Sequence, residues 1–268
     1  MVELEYCLPQ VVSWVQEVGA IQLAKLKEKN LKIESKSSVI DLVTEVDKLS
    51  EAMLLAKVRE SFPEHSILAE EGGAQDNASD YRWVIDPLDG TINYAHGFPI
   101  FCISVALQYR DESVLGVVHV PALAETYTAV KDGGAFLNGG RLQVSETTRL
   151  NQALLATGFP YDRAMDPDNN LKYFNYLLTQ VQGIRRAGSA AFDLCNVAAG
   201  RFDGYWEFKL KPWDVAAGTL MVTEAGGVID YLVRTQHQGL ALIAANPKFI
   251  ETIKAELEAA DYAADKCF

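Results

Sequence analysis

A layered α/β sandwich is the fold class that this sequence predicts, on three observations. Two apolar-periodic stretches open the chain, short β-patterned segments follow, and beyond about Ser145 helical and strand patterns alternate. No long polar linker, low-complexity tract or internal repeat intervenes, so residues 1–145 and 146–268 are expected as two lobes of one compact unit. With 268 residues, 49% of them hydrophobic, there is ample material for a shared core.

Taken in order, Pro9 to Lys29 carries Val11, Trp14, Val15, Val18, Ile21 and Ala24 at helical spacing and reads as an amphipathic helix. Thr44 to Glu60 is a second helix, with Thr44 as its cap and Pro63 just past its end. Ser66 to Ala69 and Tyr81 to Ile85 read as strands with acids at their C-terminal ends, and Pro87 is expected to break the second. Cys102 to Tyr109 and Val114 to Val120 are long strands around the charged turn Arg110-Asp111-Glu112. Glu125 to Val130 and Ala135 to Asn138 flank the hairpin signal Lys131-Asp132-Gly133-Gly134, which completes an antiparallel meander.

In the second lobe, Ala153 to Thr157 is a strand, Asn169 to Val181 a helix and Ser189 to Ala199 a small-residue helix stopped by Gly200. Phe202 to Phe208 is a strand, and Trp213 to Ala225 a helix closed by Gly226-Gly227. Val228 to Tyr231 and Leu240 to Ala244 are strands, after which Pro247 opens a final helix. The cleft between the lobes is the expected place for a ligand.

Composition narrows the function. The formal charge is −12, so no counterion-release attraction to nucleic acid is available and DNA or RNA is disfavoured as substrate. No stretch approaches a membrane span, and the acidic start Met1-Val2-Glu3-Leu4-Glu5 lacks secretory features, so a cytoplasmic protein is expected. Cys7, Cys102, Cys195 and Cys267 form no Cys-x-x-Cys pair, and the four histidines are dispersed, which argues against zinc or disulfides.

Three acidic clusters stand out. In Trp83-Val84-Ile85-Asp86-Pro87-Leu88-Asp89-Gly90-Thr91 an apolar strand delivers two aspartates, followed by backbone N–H groups that can face an anion. Glu70-Glu71-Gly72-Gly73 follows the apolar Ile67-Leu68-Ala69, and Asp214 begins the helix after Lys211-Pro212-Trp213. Read singly, each is equally an exposed turn or a helix cap. Together Glu70, Asp86, Asp89 and Asp214 supply the oxygen-rich chemistry that suits Mg²⁺ and phosphoryl transfer.

These runs, extended through Ile92-Asn93-Tyr94-Ala95-His96-Gly97-Phe98-Pro99 and Trp213-Asp214-Val215-Ala216-Ala217-Gly218, resemble the inositol monophosphatase family. That family belongs to the lithium-sensitive, Mg-dependent phosphatase superfamily that includes fructose-1,6-bisphosphatases. The resemblance continues in Lys36-Ser37, Asp41-Leu42-Val43-Thr44-Glu45-Val46-Asp47 and Gly188-Ser189-Ala190-Ala191, and so spans nearly the whole chain. It implies an αβαβα sandwich, often a homodimer, that hydrolyses a small phosphomonoester such as myo-inositol 1-phosphate.

By the same resemblance, Glu70, Asp86, the Leu88 carbonyl and Thr91 hold a first Mg²⁺. Asp86, Asp89 and Asp214 hold a second, and Glu70 serves a weaker third. Glu71 positions the attacking water, the pair Asp47 and Thr91 activates it, and Gly90 and Thr91 grip the phosphate. Gly188, Ser189 and Ala190 lie along the polyol, Glu207 accepts its hydroxyls, and Asp89 and Asp214 also touch substrate. Lys36 is implied near the site, whereas Arg185 and Arg186 read as structural or solvent-facing, and His96 as structural. Tyr231 to Gln238 departs from the family pattern, lacking its Asp-x-x-Gly-type turn. The competing readings are fructose-1,6-bisphosphatase activity and, from another class, an interaction protein, because some bacterial relatives bind the transcription machinery.

Overall fold

The computed structural model describes residues 4–27, 32–35, 41–232 and 239–264. Helix α1 (Leu4–Leu26) buries Cys7, Val11, Trp14, Val15 and Val18 along one face. It starts before Pro9 rather than at it; so near the helix start, the missing proline N–H strands only the Glu5 carbonyl. Strands β1 (Ile33–Ser35) and β2 (Leu42–Thr44) form a separate antiparallel ribbon leading into α2 (Glu45–Ser61). Thr44 caps α2: its hydroxyl accepts from the N–H groups of Val46 and Asp47, and Asp47 returns a bond to the Thr44 N–H.

An eight-stranded sheet follows, in the order β10-β9-β8-β7-β6-β5-β3-β4. Its strands are β3 (Ser66–Ala69), β4 (Gly73–Gln75), β5 (Tyr81–Asp89), β6 (Cys102–Tyr109), β7 (Glu112–Val120), β8 (Glu125–Val130), β9 (Gly134–Leu137) and β10 (Gly140–Arg141). A short helix, α3 (Thr91–Ala95), joins β5 to β6. The β6–β7 turn is only Arg110-Asp111, both with positive φ, so Glu112 is already strand. The sheet is not the pure meander expected: β3 pairs with β5 in parallel, Ala69 opposite Ile85. Parallel pairing brings both C-terminal ends to the same edge, so Glu70 emerges beside Asp86.

A five-stranded sheet in the order β12-β11-β13-β15-β14 builds the second half. It contains β11 (Leu154–Thr157), β12 (Gly183–Arg185), β13 (Gly204–Leu210), β14 (Val228–Tyr231) and β15 (Leu240–Ala245). The helices are α4 (Leu171–Leu178), α5 (Ala190–Ala198), α6 (Pro212–Glu224) and α7 (Ile250–Ala264).

Side-chain alternation along the strands stacks these elements into five layers. Trp83, Ile85, Ile103, Val105 and Val117 face α1 and α2, while their neighbours Val84, Cys102, Ala106 and Val118 face α5 and α6. In the smaller sheet Tyr205, Leu242 and Ala244 face the same two helices, whereas Trp206, Phe208 and Ile243 pack on the far side with α7. The order is α1/α2, large sheet, α5/α6, small sheet, α4/α7, the αβαβα sandwich expected. Where β7 crosses α6, a Cβ on Gly116 would stand 3.2 Å from the Ala217 backbone, so glycine sets that approach.

Some boundaries differ from expectation. Pro87 does not end β5; the strand continues to Asp89, and a register shift between Asp86 and Asp89 absorbs the proline. Helix α4 is shorter than Asn169 to Val181 at both ends: Asn170 takes φ +71° and caps it, so it starts two residues later, and it stops at Leu178. The last helix begins at Ile250, since Asn246 Oδ1 accepts the Lys248 N–H and holds the residues after Pro247 in a turn. The strand expected over Phe202 to Phe208 lies at Gly204–Leu210. Among the described residues no helix is long and apolar enough to cross a membrane.

Candidate active site

One cavity of about 460 Å³ opens between the two sheets. Glu70, Asp86, Leu88, Asp89, Gly90 and Thr91 line it from the large-sheet side. Gly188, Ser189, Ala190, Glu207 and Asp214 line it from the other, together with Asp193. Of the residues expected at the site, Asp47 and Glu71 are not in this wall. Asp47 lies fully buried behind it, and Glu71 follows Glu70 on the loop after β3.

The end of β5 and the start of α3 are wired to α2. Thr91 Oγ1 lies 2.9 Å from Asp47 Oδ1 and 3.1 Å from the Leu88 carbonyl, either of which can accept its proton. Asp47 Oδ2 in turn accepts from both the N–H and the hydroxyl of Thr44. Burial pushes the Asp47 carboxyl up, and the bonds from Thr44 and Thr91 pull it back. Gly90, at φ +98°, makes the corner, where a Cβ would come within 3.0 Å of the Ile100 carbonyl. Asp86 Oδ1 accepts the Leu88 N–H at 3.0 Å, and Asp86 also shares a side-chain hydrogen bond with Glu70.

From the other half, the first turn of α5 grips Asp89: Ser189 Oγ and the Ala191 N–H each donate to Oδ2 at 2.8 Å. Asp214 in the first turn of α6 accepts the Lys211 N–H at 2.7 Å. The electrostatics are those of crowded carboxylates. Burial, then repulsion from Glu70, Asp89 and Asp214, holds Asp86 well above the usual carboxylate range. Asp214 is raised by burial and by Asp89, and burial lifts Asp89 to about 6 against the α5 hydrogen bonds.

Among the described residues, no three acidic, histidine or cysteine side chains close into a ready metal-binding group. The donor set nevertheless fits a hard divalent cation: four carboxylates and a carbonyl, all oxygen, whose mutual repulsion a cation would relieve.

At the far end, Tyr205 donates to Glu207 Oε2 at 2.5 Å, and a Cβ on Gly158 would collide with that carboxylate. Burial pushes Glu207 up to about 7. Lys209 ties the rim together, donating to Asp162 and Asp166 at 2.7 Å each. Arg186 also lines the cavity, Arg185 is exposed, and Lys36 lies outside the described residues.

Three residues here were missed from sequence. Asp193 is 1% exposed, with Oδ1 lacking a hydrogen-bond partner among the described residues; its place four residues after Ser189, on one helix face, was the available signal. Glu51 accepts the Glu71 N–H at 2.8 Å and so anchors the Glu70-Glu71 loop. Gln22 reaches the Pro87 carbonyl from α1. No local pattern marks either contact.

A profile of the inositol monophosphatase family matches residues 3–261. The chain belongs to the inositol monophosphatase family. It is 46% identical over 228 residues to the inositol-1-monophosphatase of Synechocystis, covering 85% of this chain and 79% of that protein. It is 50% identical over 194 residues to the Nus factor SuhB of Pseudomonas aeruginosa, covering 70% and 72%. The solved inositol monophosphatase of Anabaena (Nostoc) superposes with a TM-score of 0.86 over 96% of this chain and 97% of that one, at 38% identity. A solved IMPase/NADP phosphatase complexed with NADP and Ca²⁺ superposes at 0.82, with 26% identity and 97% of each chain covered. Membership in the inositol monophosphatase family makes this chain one of a group of generally metal-dependent phosphatases of small phosphorylated molecules.

Proposed function

We propose that this chain is a Mg²⁺-dependent phosphatase of small phosphomonoesters, with myo-inositol 1-phosphate as leading substrate, hydrolysed by direct in-line attack of water. The observation that carries the reading is the gathering of Glu70, Asp86, Asp89 and Asp214, from three separate chain segments, on one cavity. Glu70, Asp86, the Leu88 carbonyl and Thr91 would hold one cation, and Asp86, Asp89 and Asp214 another. When bound, these cations neutralise the phosphate and acidify water.

The chain's own residues do the rest. Thr91, donating to Asp47, keeps its lone pairs for the attacking water, and the buried Asp47 carboxylate accepts the charge shift. Glu71 holds that water from the β3 loop. Gly90 and Thr91 grip the phosphate, Gly188, Ser189 and Ala190 border the polyol, and Glu207 accepts its hydroxyls. Asp89 and Asp214 face the leaving-group side. The boundary at residue 145 belongs to the same proposal as a division of labour, since Asp214 and Glu207 come from beyond it.

A phosphate-release panel with Mg²⁺, covering inositol phosphates, sugar phosphates, fructose 1,6-bisphosphate and nucleotide phosphates, tests the substrate. Preference for fructose 1,6-bisphosphate would move the assignment to that sibling activity. Asp86→Asn should abolish turnover and keep the fold; near-parental activity in that variant would sink the site assignment. One observation favours a second reading, association with the transcription machinery: the Pseudomonas relative is named a Nus factor. Stoichiometric capture of RNA polymerase that survives Asp86→Asn would favour it.

A further inference from the structure

Gln22 lies toward the end of α1, fully buried, with its amide turned to the back of the Asp86–Asp89 segment. Its Nε2 donates to the Pro87 carbonyl at 2.8 Å and to Ser50 Oγ of α2 at 3.1 Å. Its own backbone carbonyl accepts the Tyr94 hydroxyl of α3 at 2.7 Å. One residue therefore joins α1 to α2, α3 and the end of β5.

The orientation of the amide is fixed by chemistry. A carbonyl oxygen only accepts, so the atom facing Pro87 must be nitrogen. That choice leaves Gln22 Oε1 buried with no partner among the described residues, although a flipped amide would offer Oε1 to the Ser50 hydroxyl. A bare buried acceptor is unfavourable. The bond from Nε2 to the Pro87 carbonyl is the contact that this amide orientation keeps.

The Pro87 carbonyl belongs to the peptide group whose N–H, on Leu88, donates to Asp86 Oδ1. Rotating that peptide would take the donor from Asp86 and redirect the Leu88 carbonyl that follows it. We propose that Gln22 is a positioning residue for the first cation site: by pinning the Pro87–Leu88 peptide it orients Asp86 and the Leu88 carbonyl, and so sets cation affinity. The inference rests on the proposed metal role of Asp86 and Leu88.

The test is Gln22→Met in the full chain, which keeps the length of the side chain and cannot donate, with Gln22→Leu as a second shape. Mg²⁺ binding is measured by calorimetric titration, alongside the Mg²⁺ dependence of phosphate release. Partners one shell out from a metal set its affinity by about 10–100-fold. A roughly tenfold weaker Mg²⁺ Kd and a matching rise in Mg²⁺ half-saturation are expected, with kcat recovered at saturating Mg²⁺. An unchanged Kd, a kcat loss that Mg²⁺ does not restore, or two variants that fail to fold would each overturn the proposal, since a purely structural glutamine predicts those results. Asp86→Asn is the control: if the unmodified protein and this variant bind Mg²⁺ alike, or neither binds it, the metal assignment itself is what failed.

Discussion

Replacing Glu207 by glutamine should make the metal-free protein more stable above neutral pH and leave it unchanged in acid. Glu207 is raised from 4.5 to about 7, chiefly by burial, with the Tyr205 hydroxyl and Arg186 opposing. The folded chain thus holds this proton up to about pH 7, whereas the unfolded chain releases it near 4.5. The folded state binds the extra proton between those values, so stability from this group is full below 4.5 and lost as pH rises toward 7. At about 1.4 kcal/mol per pH unit, the displacement amounts to roughly 3 kcal/mol by pH 8. Glutamine keeps an oxygen for the Tyr205 hydroxyl and carries no charge, so most of that loss should be recovered. The assay is urea denaturation at pH 5 and pH 8 with a chelator present. A stability gain of about 1–3 kcal/mol at pH 8, shrinking markedly at pH 5, is expected. Equal effects at both values, or destabilisation at both, would refute the assignment of burial as the cause. The same variant should raise KM for a polyol phosphate, because the carboxylate exchanged is the proposed hydroxyl acceptor.

Thr91→Val removes the hydroxyl that links Asp47 to the Leu88 carbonyl, and kcat should fall by about 100-fold or more, with Thr91→Ser restoring most of it; initial-rate kinetics decide. Gly90→Ala places a Cβ at φ +98° within 3.0 Å of the Ile100 carbonyl. About 1–2 kcal/mol of strain should lower the thermal midpoint by a few degrees and weaken phosphate binding; an unchanged midpoint would show that the corner relaxes freely. Burial and neighbouring Glu207 and Asp89 push the Asp193 carboxyl well above the usual carboxylate range, so Asp193→Asn, which imitates the neutral acid, should remain within about 1 kcal/mol of the parent at pH 7 by denaturant titration. A larger loss would mean that the carboxyl is ionised and paired.

What could be read from sequence followed from how local the determining forces are. The Thr44 cap and the α5 start at Ser189 rest on contacts within a few residues, and β6 is marked by its own apolar run; all three fell where patterning placed them. The outer strands β1 and β4 are exposed at every residue, so no alternation of apolar side chains announces them. Pro87 misled for a different reason. Its penalty is for an ordered ladder, and the register shift at Asp86–Asp89 means that no ladder bond is demanded there. The site divides the same way. Asp86 and Asp89 announced themselves by a strand ending in acids, but Glu51 and Gln22 act across 20 and 65 residues of chain, where sequence spacing carries no information.

Four of the aspartates share one device that separates a built site from an accidental acidic patch. Asp86 is tied to the Leu88 N–H, Asp214 to the Lys211 N–H, Asp47 to the Thr44 N–H and Asp89 to the Ala191 N–H, so a backbone donor orients every one. Side chains held by solvent would repel one another and turn outward; these are held inward against that repulsion by groups that cannot move without moving a helix or strand. The orientation is thus prepared before any ligand arrives, which is where electrostatic stabilisation of a charged transition state comes from. It also explains why the acids come from both halves. Asp89 is anchored by α5, and α5 packs between the two sheets, so the relative placement of the carboxylates is fixed by the central apolar layer rather than by the loops that carry them. Substitutions that loosen that layer far from the cavity should therefore weaken cation binding before they unfold the chain.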